Sequence, residues 1–144
     1  MSIEPLDMAQ AAGAPIDTLE SWFSAHGWLC ERLGDEEIVS SAKGAWCQYE
    51  LRGLWREDDC VLQFLAFPDV KVTDAQASSI YETIGLINEQ LWLGHFEYWP
   101  ATGIIIYRHA VLLDSGNGEA TFSIEQAEVM VEAAIDELDR FYPV

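Results

Sequence analysis

The run "AWCQYELRGLWREDDCVLQFLAF", residues 45 to 67, restricts the fold more than any other part of this 144-residue chain. Drawn out as a strand, its first half places Cys47, Tyr49, Leu51 and Trp55 on one face and Gln48, Glu50, Arg52 and Arg56 on the other. One face is therefore dry and the other wet, the signature of an antiparallel sheet covered on a single side. The second half is continuously apolar, as a more central strand would be, and Pro68 ends it. A turn at "EDD" makes the two halves a hairpin with Cys60 opposite Arg56.

What covers the dry face must come from the flanking helical patterns. Asp17 and Glu20 have capping-box spacing, and Ile16, Leu19, Trp22 and Phe23 recur at helical intervals until Gly27. Thr73 and Gln76 repeat the box before a stripe of Ala77, Ile80, Tyr81, Ile84, Ile87, Asn88 and Leu91. Ser123 and Gln126 make a third, before Ala127, Met130, Val131, Ala134, Leu138 and Phe141. On that last helix Glu128, Glu132 and Asp136 stack at four-residue steps, and Asp136, Glu137 and Asp139 oppose the dipole at its end, so tertiary packing must hold it. Together with a strand at "EEIVSSAK", "HFEYW", a turn at "PATG" and the strand "IIIYRHAVLL", the order is α-β-β-β-α-β-β-α. This predicts an α+β fold in which helices near 16–26, 73–92 and 123–141 pack on a five-stranded antiparallel sheet. Residues 1–15 read as a flexible arm and 16–144 as one domain.

Charge then removes whole classes of partner. With 25 acidic against 7 basic residues the net charge is -18, which repels phosphate backbones and anionic headgroups; no nucleic acid or membrane partner is expected. "MSIEPLDMAQ" lacks a signal peptide's basic and apolar regions, and no apolar run approaches the roughly 20 residues of a membrane helix, which predicts a cytoplasmic protein. Cys30, Cys47 and Cys60 form no CxxC or CxxH pair and read as free thiols. A hairpin centred between Ala101 and Thr102 sends His95 and His109 to opposite faces, which argues against a metal site. The chain has no GxSxG elbow, and the "GNG" loop at 116–118 has no phosphate-binding frame. The chain is expected to be no enzyme and to need no cofactor.

The segment "INEQLWLGHFEYW", residues 87–99, holds polar residues within apolar surroundings at a helix-to-strand junction. The same hairpin register puts Phe96, Tyr98, Ile105, Tyr107 and Val111 on a core-like face. His95, Glu97, Trp99, Ile104, Ile106 and Arg108 share the other, a mixture suited to contact with another chain and to a homodimer. Asn88 is placed to bond free backbone at the junction, Gly94 to take a positive φ, and His95 with Arg108 to order the turn beyond. The binding or interface candidates are thus Asn88, Trp92, His95, Trp99, Ile104, Ile106 and Arg108. The alternative is a small-molecule sensor with a pocket between helix 73–92 and the sheet, walled by Tyr81, Trp92 and Tyr107.

"INEQLWLGHFEYW", "YRHAVLL" and "FYPV", with "YELRGLWRE" upstream, resemble the bacterial YbjN-domain family from about Ile16 onward. The family blocks fall on Asn88, Glu89, Gln90, Trp92, Gly94, His95 and Phe96, and on Tyr107, Arg108 and His109. The resemblance implies an α+β fold similar to type III secretion chaperones, subunits that pair, and a sensory-transduction regulator or chaperone-like role with a protein client and without catalysis. It also implies a further apolar stretch beyond Tyr142 and Pro143, where this chain stops at Val144.

Overall fold

The computed structural model describes residues 15–113 and 121–143. Most of the expected arm, residues 1–14, and the "GNG" loop lie outside the described residues. In chain order the elements are α1 (Pro15–Ala25), β1 (Cys30–Arg32), β2 (Glu37–Lys43), β3 (Gln48–Arg56), β4 (Val61–Pro68), α2 (Ala77–Asn88), β5 (His95–Trp99), β6 (Ile104–Leu112) and α3 (Ile124–Phe141). The strands form one antiparallel sheet in the order β1-β2-β3-β4-β6-β5.

The sheet has six strands where five were expected. The addition, β1, is three residues long and too short to show a period in sequence. It is fixed from outside, because Arg32 Nη1 donates to Asp17 Oδ1 and Glu20 Oε1, both at 2.8 Å. Those carboxylates therefore do not make the capping box their spacing suggested, and α1 already includes Pro15, which the expected arm had claimed. The β3–β4 hairpin also shifts by one residue, pairing Arg56 with Val61 rather than Cys60. Cys60 stands at φ 54° and its N–H reaches the Glu57 carbonyl at 3.3 Å, so it closes the turn instead of starting the strand. All three cysteines are free thiols.

The helices cover the face that the alternation marked as dry. Ile16, Leu19, Trp22 and Phe23 of α1 join Ile38, Tyr49, Leu51, Trp55, Leu62, Phe64 and Tyr107 of the sheet and Ala127, Met130, Val131, Ala134 and Leu138 of α3 in one buried cluster. At about 25 cal/mol per Å² of apolar surface, this cluster is the main stabilising element of the domain. Asp139, unfavourable for the helix dipole, is used in tertiary contacts: its carboxylate accepts from Ala45 N–H at 2.8 Å and Tyr49 Oη at 2.6 Å. The end of α3 is thereby clamped to the β2–β3 turn.

The central helix is shorter than the expected 73–92. A 3₁₀ turn at Asp74–Gln76 precedes it, and it stops at Asn88, whose side chain is engaged elsewhere. Of its twelve residues only Ile87 is buried.

Candidate functional site

The segment after α2 is built around one amide. Asn88 Nδ2 donates to the Phe96 carbonyl at 3.2 Å, and Phe96 N–H donates to Asn88 Oδ1 at 2.8 Å. The side chain thus occupies the place a neighbouring strand would take on the free edge of β5. Gly94, at φ 73°, turns the chain into the strand, and a Cβ there would collide with the Tyr107 ring. Tyr107 is itself buried and donates its hydroxyl to the Leu93 carbonyl at 2.7 Å; burial, with the nearby Glu137 charge adding, pushes its pKa up to about 12. Gln90 accepts from Arg140 Nη2 at 3.2 Å, which ties the junction to α3.

On the outer face, away from the helices, the hairpin register is the expected one, His95 opposite Arg108 and Trp99 opposite Ile104. The polar residues there meet on Glu97. Its Oε2 accepts from His95 Nε2 at 2.6 Å and Arg108 Nε at 2.8 Å, while Oε1 accepts from Trp99 Nε1 at 2.9 Å and Arg108 Nη2 at 3.1 Å. Partial burial works against the charged carboxylate, but the donors Arg108, Trp99 and His95 together outweigh it and draw the Glu97 pKa down to about 2. Arg108 also bonds Gln63 on β4. Glu97 and Gln63 were not among the sequence candidates. The signal for Glu97 was present, since it shares a face with His95 and Trp99 in the register already read.

The remaining candidates separate. Ile106 has no exposed surface and faces Glu97 across the ladder, with Arg108 two residues on. Trp99 and Ile104 are half-buried, Trp99 edge-on to Phe67 at 6.3 Å. Trp92 is 97% exposed in the loop between α2 and β5. The expected pocket beneath the central helix is not formed by its three proposed walls. Tyr107 is sealed under Gly94, Tyr81 packs edge-on against Tyr98 at 5.2 Å, and Trp92 is almost wholly in water. An apolar cleft of about 400 Å³ lies instead between α3 and β6, lined by Leu93, Val111, Phe122, Val129 and Met130. Among the described residues no group of three or more His, Cys, Asp and Glu side chains is arranged to hold a metal ion, and no helix is long and apolar enough to cross a membrane.

A family model described as "Putative bacterial sensory transduction regulator" matches residues 15–144. The chain belongs to the YbjN family. Its fold is similar to the crystal structure of YbjN, "a putative transcription regulator from E. coli", with a TM-score of 0.61 at 11% identity over 90% of this chain and 88% of that one. It is also similar to a chain of the ExsC-ExsE complex, with a TM-score of 0.52 at 15% identity over 86% of this chain and 90% of that one. No curated protein matches the sequence. The shared fold is the type III secretion chaperone-like α+β arrangement, with the helices on one face of an antiparallel sheet. Within the YbjN blocks, Asn88, Gln90, Gly94, His95, Phe96, Tyr107 and Arg108 all have structural partners in this chain. Of the other three, Glu89 is exposed, His109 is half-buried with no partner for Nδ1, and Trp92 is the large apolar side chain left in water.

Proposed function

We propose that this YbjN-family chain is a non-catalytic regulatory module that binds another protein and works as a homodimer. Trp92 carries the reading. An indole buries up to about 250 Å² when covered, so one left almost wholly in water, between a bonded Gln90 and a Gly94 held against Tyr107, fits an anchor for a partner. The similarity to a chain solved as the ExsC-ExsE complex supports a protein as that partner, and the net charge of -18 favours one that is basic. Pairing of two copies is assigned to α2, where Tyr81 and Leu86 are more than half exposed and Gly85 leaves open space for close approach.

The test is capture from the protein's own cell lysate at low and high salt, with mass spectrometry of what is retained. One or a few proteins should be captured reproducibly, and Trp92→Ala should release them without altering the circular-dichroism spectrum. Retention of abundant bystanders alone, equal for wild type and Trp92→Ala, would remove the protein-binding reading.

A further inference from the structure

β6 outruns its neighbour. β5 pairs with it only from Trp99↔Ile104 to His95↔Arg108, after which Gly94 turns the chain off the line of the sheet. Beyond Arg108, β6 is still paired on its other side, Ala110 with Gln63 and Leu112 with Val61. The direction of its backbone groups follows from two bonds. Leu113 N–H donates to the Cys60 carbonyl at 2.9 Å, so the odd-numbered residues of this strand face β4. Asn88 holds both backbone groups of Phe96 on the far edge of β5, so His95 and Arg108 face each other. By the alternation of an antiparallel ladder, Ala110 and Leu112 aim N–H and C=O at the place where β5 is missing. Among the described residues no backbone group takes those bonds.

β2 likewise runs past β1 at Ser41–Lys43, without the apolar cleft that borders β6, and the edges of the two outer strands are blunted. Phe96 is occupied by Asn88, Pro100 ends β5 without an N–H, and β1 is three residues long. The open stretch also borders the apolar cleft between β6 and α3, where Val129 is 57% exposed; Leu112, 75% exposed, shares the opposite, outer face with Arg108. His109, on the cleft wall, has no partner for Nδ1. Glu125 lies at the rim, and Glu128 and Glu132 are exposed along the same helix.

We infer that the β6 edge at Ala110–Leu112 accepts an extended segment of a partner protein by strand addition, with alternate apolar side chains entering the cleft and lysine or arginine at the positions between or beside them. This rests on the protein-binding reading and gives it a site and a chemistry. Main-chain bonds to Ala110 and Leu112 supply register, the cleft selects apolar residues at every second position, and the acidic rim selects the flanking charge. A second copy is disfavoured at this edge because its own β6 edge would bring the same acidic residues, Glu125, Glu128 and Glu132, against this rim. The chain's own first fourteen residues are disfavoured because they hold Glu4 and Asp7 and no basic residue.

The experiment selects nine-residue segments from a random peptide-display library on the full chain. The enriched peptide is then synthesised, its affinity measured by fluorescence anisotropy, and amide exchange followed by NMR. The expected peptide alternates apolar and basic residues and protects the Ala110 and Leu112 amides at least tenfold. Its affinity should fall at least tenfold on Val129→Asp or on N-methylation of the peptide edge facing β6. Deleting residues 2–14 should change its affinity less than twofold. A peptide that protects other amides, or tolerates N-methylation, overturns the site while lysate capture can still uphold the broader reading. No enrichment at all overturns it too, and a tenfold gain on deleting residues 2–14 assigns the cleft to the chain's own arm instead.

Discussion

Two helices of this domain begin with the same local signal and end in different circumstances. Thr73 with Gln76 and Ser123 with Gln126 share the capping-box spacing, and in both the glutamine side chain accepts from the cap residue's N–H, at 3.1 and 2.8 Å. Yet the first box caps only a 3₁₀ turn, and the α2 that follows buries one residue, whereas α3 runs eighteen residues and buries five. A local box starts a helix; burial decides how far it runs and how firmly it is held. α3 is part of the core, while α2 is suspended from the edge of the sheet by Ile87, Asn88 and the Tyr81–Tyr98 contact.

The largest effect should come from the core side of that contrast. Leu138→Ala in α3 is expected to cost roughly 2 to 5 kcal/mol, whereas Ile84→Ala, at a half-buried position of α2, should cost about 1 kcal/mol. Urea unfolding of both variants measures the gap, and equal costs would show that α2 is as deeply rooted as α3. Next comes the amide that replaces burial for α2. Asn88→Ala leaves the Phe96 N–H and C=O unpaired and is expected to cost about 2 to 3 kcal/mol. Exchange of the Phe96 amide should accelerate while the amides of α3 stay protected.

How much of this could be read from sequence follows the same division. The register of β5 on β6 was legible because a short turn and strict alternation fix it locally, and the buried stripe of α3 was legible from its period. The paired carboxylates of α1 misled, because Asp17 and Glu20 serve Arg32, fifteen and twelve residues away. The hub at Glu97 needs Gln63 and Arg108, brought together by strand order, and the cleft needs β5 to end early beside α3. Contacts between distant segments leave no period to detect.

Hydroxyls tie both helices to the sheet, Tyr49 to Asp139 of α3 and Tyr107 to Leu93 beyond α2. Burial comes first in raising both pKa values, with the Asp139 bond adding for Tyr49. A folded pKa above the ordinary value near 10 means that the stabilisation is complete below pH 10 and is lost as pH rises. For Tyr107 the window runs from pH 10 to about 12 and is worth roughly 2 kcal/mol. Unfolding free energies across that window should fall for wild type, and less steeply for Tyr107→Phe. A smaller effect separates the two boxes: Ser123→Ala should cost about 1 kcal/mol and Thr73→Ala about 0.5 kcal/mol or less, because only the first supports a buried helix.

The smallest stability effect carries the most about assembly. Leu86 is 57% exposed on α2, and a Cβ on the neighbouring Gly85 would meet nothing within 4 Å. Within one chain, Leu86→Asp should therefore change stability by no more than about 0.5 kcal/mol, the range of ordinary surface substitutions. If α2 is thinly buried because a second copy completes it, the same change puts a charge into an apolar contact between two chains that already repel each other at -18 apiece. Light scattering at micromolar concentration should then give twice 16.2 kDa for wild type and 16.2 kDa for Leu86→Asp, with unchanged circular dichroism. Lowering salt should dissociate the wild-type pair further, since screening is what lets two acidic chains meet. A wild-type monomer under these conditions, or a dimer indifferent to Leu86→Asp, would mean that α2 is simply a poorly covered helix and that the pairing surface must be sought elsewhere.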